Sequence, residues 1–333
     1  VKPIAALALL ASALAPFAAR AHHGTATASA IGAEGPGAAL DTASPLPLGQ
    51  GTALALVKSE HVRFQRRAGF AEQKRYASFN TLAVGYGLRP WLSAFVFQPF
   101  SWKSQDGVGT SAGPGDTNLL LALSAKWDEG LRLAPERESL DELLDLHLGL
   151  WISTTLPTGP TTARDDAGAP FAPDMQTGFG GPSPAAGVSL LKQVSADVTL
   201  LAEASYQHFF DQRYREAGHR YRFGGETRVN AALAWRSLAS GSRRLDLVPE
   251  LSLLHLQRDR SDEGAGAMVA LRASGGTILY GQLGARATLG SYSIGLAVRR
   301  AVARALNESA DQQGSEGLEA FRASLTLGWA GRP

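Results

Sequence analysis

The chain has 333 residues, no cysteine, 37 glycines and two methionines, and 32 basic against 30 acidic side chains leave a formal net charge of +2. That balance excludes the strongly basic surface a nucleic-acid partner needs, and the lack of cysteine excludes a disulfide scaffold while remaining compatible with transit through an oxidising periplasm. After the N-terminus no run of roughly eighteen apolar residues occurs, so the sequence predicts no transmembrane helix.

Residues 1–21 read as an export signal. Lys2 supplies the positive start, Ile4 to Ala15 the apolar run, and Ala19-Arg20-Ala21 an A-x-A cleavage pattern, so the mature chain is expected to begin at His22. A free amine beside His22 and His23 can chelate copper, nickel or zinc, but two adjacent histidines without a partner cluster fit an accident of processing as well. Nothing else resembles a metal or cofactor motif. Residues 22–50 are rich in Gly, Ala, Ser, Thr and Pro. Two readings stand for them: a periplasmic leader, or a plug folded into a lumen enclosed by residues 51–333.

Between Thr52 and Trp329, within a barrel expected over 51–333, one unit recurs about a dozen times: ten to fourteen residues of alternating apolar and small or polar type, then a connection that is long and short by turns. Twelve strands are expected, over 52–64, 76–88, 91–103, 116–128, 143–157, 182–193, 196–210, 222–237, 243–258, 275–289, 291–302 and 316–329. Successive side chains of a strand point to opposite faces. Leu200, Ala202, Ala204 and Tyr206 thus oppose Thr199, Glu203, Ser205 and Gln207, and Phe321, Ala323, Leu325, Leu327 and Trp329 oppose Arg322, Ser324 and Thr326. Strands of this length exceed the roughly 5 to 6 residues usual in soluble sheets and suit a tilted membrane crossing. The fold predicted is all-β: a transmembrane antiparallel up-and-down barrel of about 12 strands in a Gram-negative outer membrane. Long connections follow odd-numbered strands and short turns such as Arg89-Pro90, Val194-Ser195 and Gly290 follow even ones, so both termini are expected to be periplasmic. One inner connection is long, Glu129 to Glu142, with a capping box at Ser139-x-x-Glu142. It reads as a solvated excursion or as a contact to a periplasmic partner.

Three stretches carry a family likeness: Gly113-Pro114-Gly115-Asp116 before the strand that ends at Lys126-Trp127, Leu156-Pro157-Thr158-Gly159 where a strand ends, and Gly178-Phe179-Gly180-Gly181-Pro182-Ser183 before the next. Together they resemble the outer-membrane transporter family described as the putative MetA-pathway of phenol degradation, over about Leu54 to Trp329. The resemblance implies a small monomeric barrel that passes small, often aromatic or hydrophobic compounds, and it brings no catalytic residue with it. On their own chemistry these glycines serve turns, and Pro157 ends a ladder by removing a donor.

In a barrel the lumen wall carries function. On the predicted register Lys58, Glu60, Lys126, Asp145, His147, Glu203, Glu226, Arg228, Arg236, Arg286, Arg299 and Arg322 point inward. Buried charges must be paired or hydrated, so they either cross-link the lumen or line a wet passage. Trp91, Phe95, Phe97, Phe100 and Trp102 crowd the third strand, and Tyr206, Phe209, Phe210, Tyr214 and Tyr221 flank a later loop, as interfacial belts or as a greasy solute path. Arg63, Arg66, Arg67, Lys74, Arg75, Arg213, Arg215, Arg220 and Arg222 lie near the outer rim, where lipopolysaccharide phosphates are natural partners.

The function expected is passive passage of small, hydrophobic or aromatic molecules through a monomeric channel, without enzymatic activity. The alternatives are a closed structural or docking barrel, a metal-related outer-membrane protein, and a barrel lipid hydrolase. The hydrolase needs a serine beside an oriented histidine. His147 and Ser153 share a strand six residues apart, too far to pair at roughly 3.3 Å per residue, and His255 reads as lipid-facing.

Overall fold

A computed structural model describes residues 38–66, 73–135, 145–214, 216, 218–262, 266–307 and 319–332. The export signal, His22, His23, the capping box and Arg67 and Arg215 lie outside them. Twelve long strands occur in order: β1 (Ala53–Phe64), β2 (Lys74–Arg89), β3 (Leu92–Gln105), β4 (Thr117–Trp127), β5 (Leu146–Leu156), β6 (Ser183–Gln193), β7 (Val198–Gln207), β8 (Glu226–Ser240), β9 (Arg243–Leu256), β10 (Gly276–Leu289), β11 (Tyr292–Leu306) and β12 (Glu319–Gly331). Each pairs antiparallel with its chain neighbour, and β12 pairs with β1 from Ala53↔Gly331 to Phe64↔Glu319, so the sheet closes. Closure leaves no free edge, which is what lets a sheet sit in hydrocarbon with every backbone donor and acceptor paired.

The alternation decides which side faces what. Outward positions form an apolar band: Val84 is 57% exposed, Ile152 55% and Leu283 73%, exposures that only a lipid solvent makes favourable. Tyr86, Trp127, Trp235 and Tyr292 are half-exposed toward the inner ends of their strands and form an inner girdle. Phe100 and Trp102 face outward on β3, whereas Phe95 and Phe97 face the lumen and are buried. The aromatic crowd on that strand is therefore divided by the pleat between belt and interior.

Long connections gather at one rim, and three of them build structure absent from the twelve-strand expectation: Gly109–Pro114 folds back antiparallel on the outer end of β3, and two others form a separate sheet. Gln212–Tyr214, His219–Arg222, Arg260–Ser261 and Val269–Ala270 pair into a small sheet above β7 to β10. Phe179, Phe209, Tyr214, Tyr221 and Phe223 pack beneath it edge to face. The alternation predicts a start at 222 for the eighth strand; it starts at Glu226, because Phe223 to Gly225 separate it from this loop sheet.

Candidate functional site in the lumen

The segment 38–50 runs inside the barrel, over its inner half. Ala39 and Leu40 pack with Leu46 against Leu191, Leu201, Ala232, Ala234, Val248 and Ala297. Ala43 and Leu48 pack on the opposite side against Phe95, Phe97, Leu120 and Trp151. Room for it comes from glycines on the lumen face of the wall. A Cβ on Gly284 or Gly295 would run into Leu40, one on Gly149 would lie 2.9 Å from the Pro45 Cα, and one on Gly87 would strike the Gly49 carbonyl. A wall built for water alone would not need bare backbone at just the positions this segment touches.

Chain that forms neither helix nor strand must place its backbone donors elsewhere. The Glu250 carboxylate accepts from the Leu40, Asp41 and Thr42 N–H groups at 2.7 to 3.2 Å and from the Thr42 hydroxyl at 2.7 Å. Glu203 accepts from the Ala43 N–H at 2.9 Å and from the Asn230 amide at 3.0 Å. Ser93 receives the Leu48 N–H at 2.9 Å.

Asp41 completes a ring of alternating charge. Lys58 lies 2.5 Å from Asp41 and 3.7 Å from Glu60; Arg322 lies 3.4 Å from Glu60 and 2.5 Å from Glu319; Arg299 lies 3.8 Å from Glu319 and 3.7 Å from Asp41. Three acids and three bases thus neutralise one another where the bilayer would otherwise make each expensive. Five belong to β1, β11 and β12, and the sixth is Asp41. The Arg299 guanidinium also stacks on Tyr280, 4.3 Å from its ring centre.

Above this segment lies a chamber of about 140 Å³, lined by Asp41, Phe79, Trp151, Phe179, Glu203, Glu226, Arg228 and Arg299 among others. The connection from Pro157 to Pro182 folds over it from the outer rim. Lys103, facing inward from β3, donates to the Asp174 and Gln176 carbonyls, and Lys74 pairs with Asp174. Asp116 at the head of β4 accepts from Gly159 and Phe179 N–H at 2.8 and 2.7 Å. Burial pushes the Asp116 carboxyl above its ordinary range, against those two N–H groups and Lys103, which pull it down.

Lys58, Glu60, Lys126, His147, Glu203, Glu226, Arg286, Arg299 and Arg322, each expected to face inward, are buried. Arg228 pairs with Glu226 at 2.7 Å, and Arg236 is half-buried opposite Asp246. Asp145 precedes β5 and lies 3.5 Å from Lys126 at the inner end. The charged residues not anticipated include Asp41, Lys103, Asp116, Asp246, Glu250 and Glu319, as well as Arg244, which lies 2.7 Å from Asp246. His255, which reads as outward, implies an inward Glu250 five residues earlier, so that residue was within reach of the same alternation. Glu319 was not, because a bulge between Arg63 and Phe64 shifts the β1 and β12 pairing and turns it to the lumen.

His147 and Ser153 lie at different heights of β5, and His255 faces outward, bonded to Thr277 at 2.9 Å. Among the described residues no cluster of three His, Asp or Glu could hold a metal ion.

No protein-family model matches the sequence, and no curated protein matches it either. The family likeness therefore rests on its three stretches alone. Among solved structures, an outer membrane channel from Pseudomonas putida F1 is similar with a TM-score of 0.62 at 14% identity, over 86% of this chain and 97% of that one. At such identity the likeness speaks for the fold: an outer-membrane type of closed, twelve-stranded barrel. The NanC porin (TM-score 0.42, 10% identity, 84% of this chain and 99% of that) and the beta domain of the Bordetella autotransporter BrkA (0.38, 12%, 84% and 98%) are looser matches.

Proposed function

We propose that the barrel is a monomeric outer-membrane channel for passive passage of small, hydrophobic or aromatic molecules, that residues 22–50 are its plug, and that it has no enzymatic role. The observation that carries this reading is the fit of residues 38–48 to the lumen: bare glycines under Leu40 and Pro45, and Asp41 as one corner of a six-charge ring. A permanently closed barrel would more simply fill its lumen with wall side chains, as barrels of about eight strands do. The fold it shares with a bacterial outer membrane channel agrees with the proposal. Export by residues 1–21 is the route by which the chain would reach that membrane.

Phe79, Trp151 and Phe179 give the chamber aromatic faces. Asn118 Oδ1, Ser101 Oγ and Trp151 Nε1 belong to residues that line it and make no hydrogen bond among the described residues. Such a lining suits a flat apolar solute that carries one or two polar groups.

Single-channel recording on refolded protein tests this, with liposome flux of phenol and benzoate against a sugar of similar size. The expected result is a mostly silent full-length protein and steady conductance after deletion of His22 to Gln50, with aromatic flux above sugar flux. Silence in both forms would overturn the channel and leave a structural or docking barrel.

A further inference from the structure

The structure sorts the basic residues of the outer rim. Lys74 turns inward to Asp174, Arg66 and Arg75 share Asp106, Arg220 holds Asp262, and Arg222 lies 3.6 Å from Asp211. Two described members of the group are left exposed and without an ion pair among the described residues: Arg213, which lies in the small loop sheet above the barrel, and Arg63, which lies on the outer face of β1 itself. Arg300, which the sequence did not single out, is exposed on the outer face of β11 and equally without one.

Arg63 and Arg300 belong to one row. Arg63 pairs across the sheet with Phe321 of β12, and Arg299 pairs with Arg322, which sets Arg300 beside Phe321 from the other side. Tyr76 of β2 continues the row next to Arg63. Two strand spacings separate the arginines, roughly 10 Å, with an aromatic ring between them. Their height comes from β11 itself. Tyr292 sits in the inner girdle, and Ile294, Leu296 and Val298 face lipid above it. Eight residues of a tilted strand then bring Arg300 roughly 20 Å up, near the top of an apolar band about 25 Å tall. Elsewhere at the outer ends of strands the outward side chains are Trp102, Leu156, Tyr206, Thr227 and His255, none of them a fixed cation. Among the described residues of β11, β12, β1 and β2, no carboxylate points outward.

We propose that Arg63 and Arg300, with Phe321 between them, bind the phosphate groups of lipopolysaccharide in the outer leaflet. A guanidinium at the lipid boundary is best satisfied by a phosphate, which it grips with two parallel hydrogen bonds, and the ring between the arginines meets the acyl chains just below. The patch is independent of the lumen and does not rest on the channel reading.

The test uses full-length protein in phosphatidylethanolamine nanodiscs containing diphosphorylated lipid A, dephosphorylated lipid A or phosphatidylglycerol, with retained lipid counted by native mass spectrometry. Wild type is expected to retain diphosphorylated lipid A over both others. Arg63→Gln and Arg300→Gln should each weaken retention about tenfold, the loss of one charge-assisted contact, while Arg243→Gln at the inner rim changes nothing. Heat-modified gel mobility confirms that each variant is folded. Equal retention by the Arg63→Gln/Arg300→Gln double variant would overturn the proposal. Equal retention of phosphatidylglycerol by wild type would overturn the assignment to lipopolysaccharide.

Discussion

Asp41 is the side chain on which the interior turns. Replacing it with Asn leaves Lys58 and Arg299 facing one another across a ring that has lost one of three negative charges. Breaking one member of a buried charge network costs about 3 kcal/mol, which is on the order of a hundredfold in an equilibrium constant. That cost falls on the docked state of residues 38–48, since the barrel can hydrate both cations once the segment leaves. Asp41→Asn is therefore expected to show frequent conductance bursts while its thermal unfolding, followed by circular dichroism, stays close to wild type. A large fall in unfolding temperature with no bursts would place Asp41 among ordinary stabilising residues. Gly149→Val tests the same docking from the wall. Its new Cβ would lie 2.9 Å from the Pro45 Cα, a backbone atom that cannot swing aside. The barrel should form and the plug should not seat, so conductance should approach that of the protein lacking residues 22–50.

At the scale of elements, the strands were legible in the sequence and the interior segment was not. Alternation on β7, β8, β10 and β12 sets Glu203, Arg228, Arg286 and Arg322 opposite the apolar row, and the structure has Glu203, Arg286 and Arg322 buried and Arg228 half-buried, because one face meets lipid and the other polar neighbours. No comparable period marks residues 38–50. Their partners, Glu203, Glu250 and Arg299, lie more than 150 residues away, and a contact at that separation leaves no local pattern. The glycines that seat the segment are equally silent, since a glycine can serve a turn, a bulge or a close approach. The connection from Pro157 to Pro182 makes its own prediction. Two N–H groups converge on Asp116, so Asp116→Asn should loosen the cover over the chamber. With no native cysteine to interfere, a Ser153→Cys reporter in the chamber reads this directly. Its labelling by an external thiol reagent should be about tenfold faster in the Asp116→Asn background. An unchanged rate would mean that the cover is held elsewhere.

At the scale of the whole molecule, one closed sheet keeps two solvents apart. Its outer face offers Leu, Val and Ile to lipid between an inner girdle of Trp and Tyr and an outer row that includes Arg63 and Arg300. Its inner face carries charges in a neutral ring and carboxylates that hold the segment 38–48. The central claim is that this segment shuts the lumen and must shift for solute to pass. A reversible tether tests it most directly: Leu40→Cys with Gly295→Cys, chosen because a Cβ on Gly295 would meet the Leu40 side chain. Single-channel recording of the oxidised protein should be silent, and openings should appear once reductant is added. Conductance that is the same before and after reduction would contradict the account.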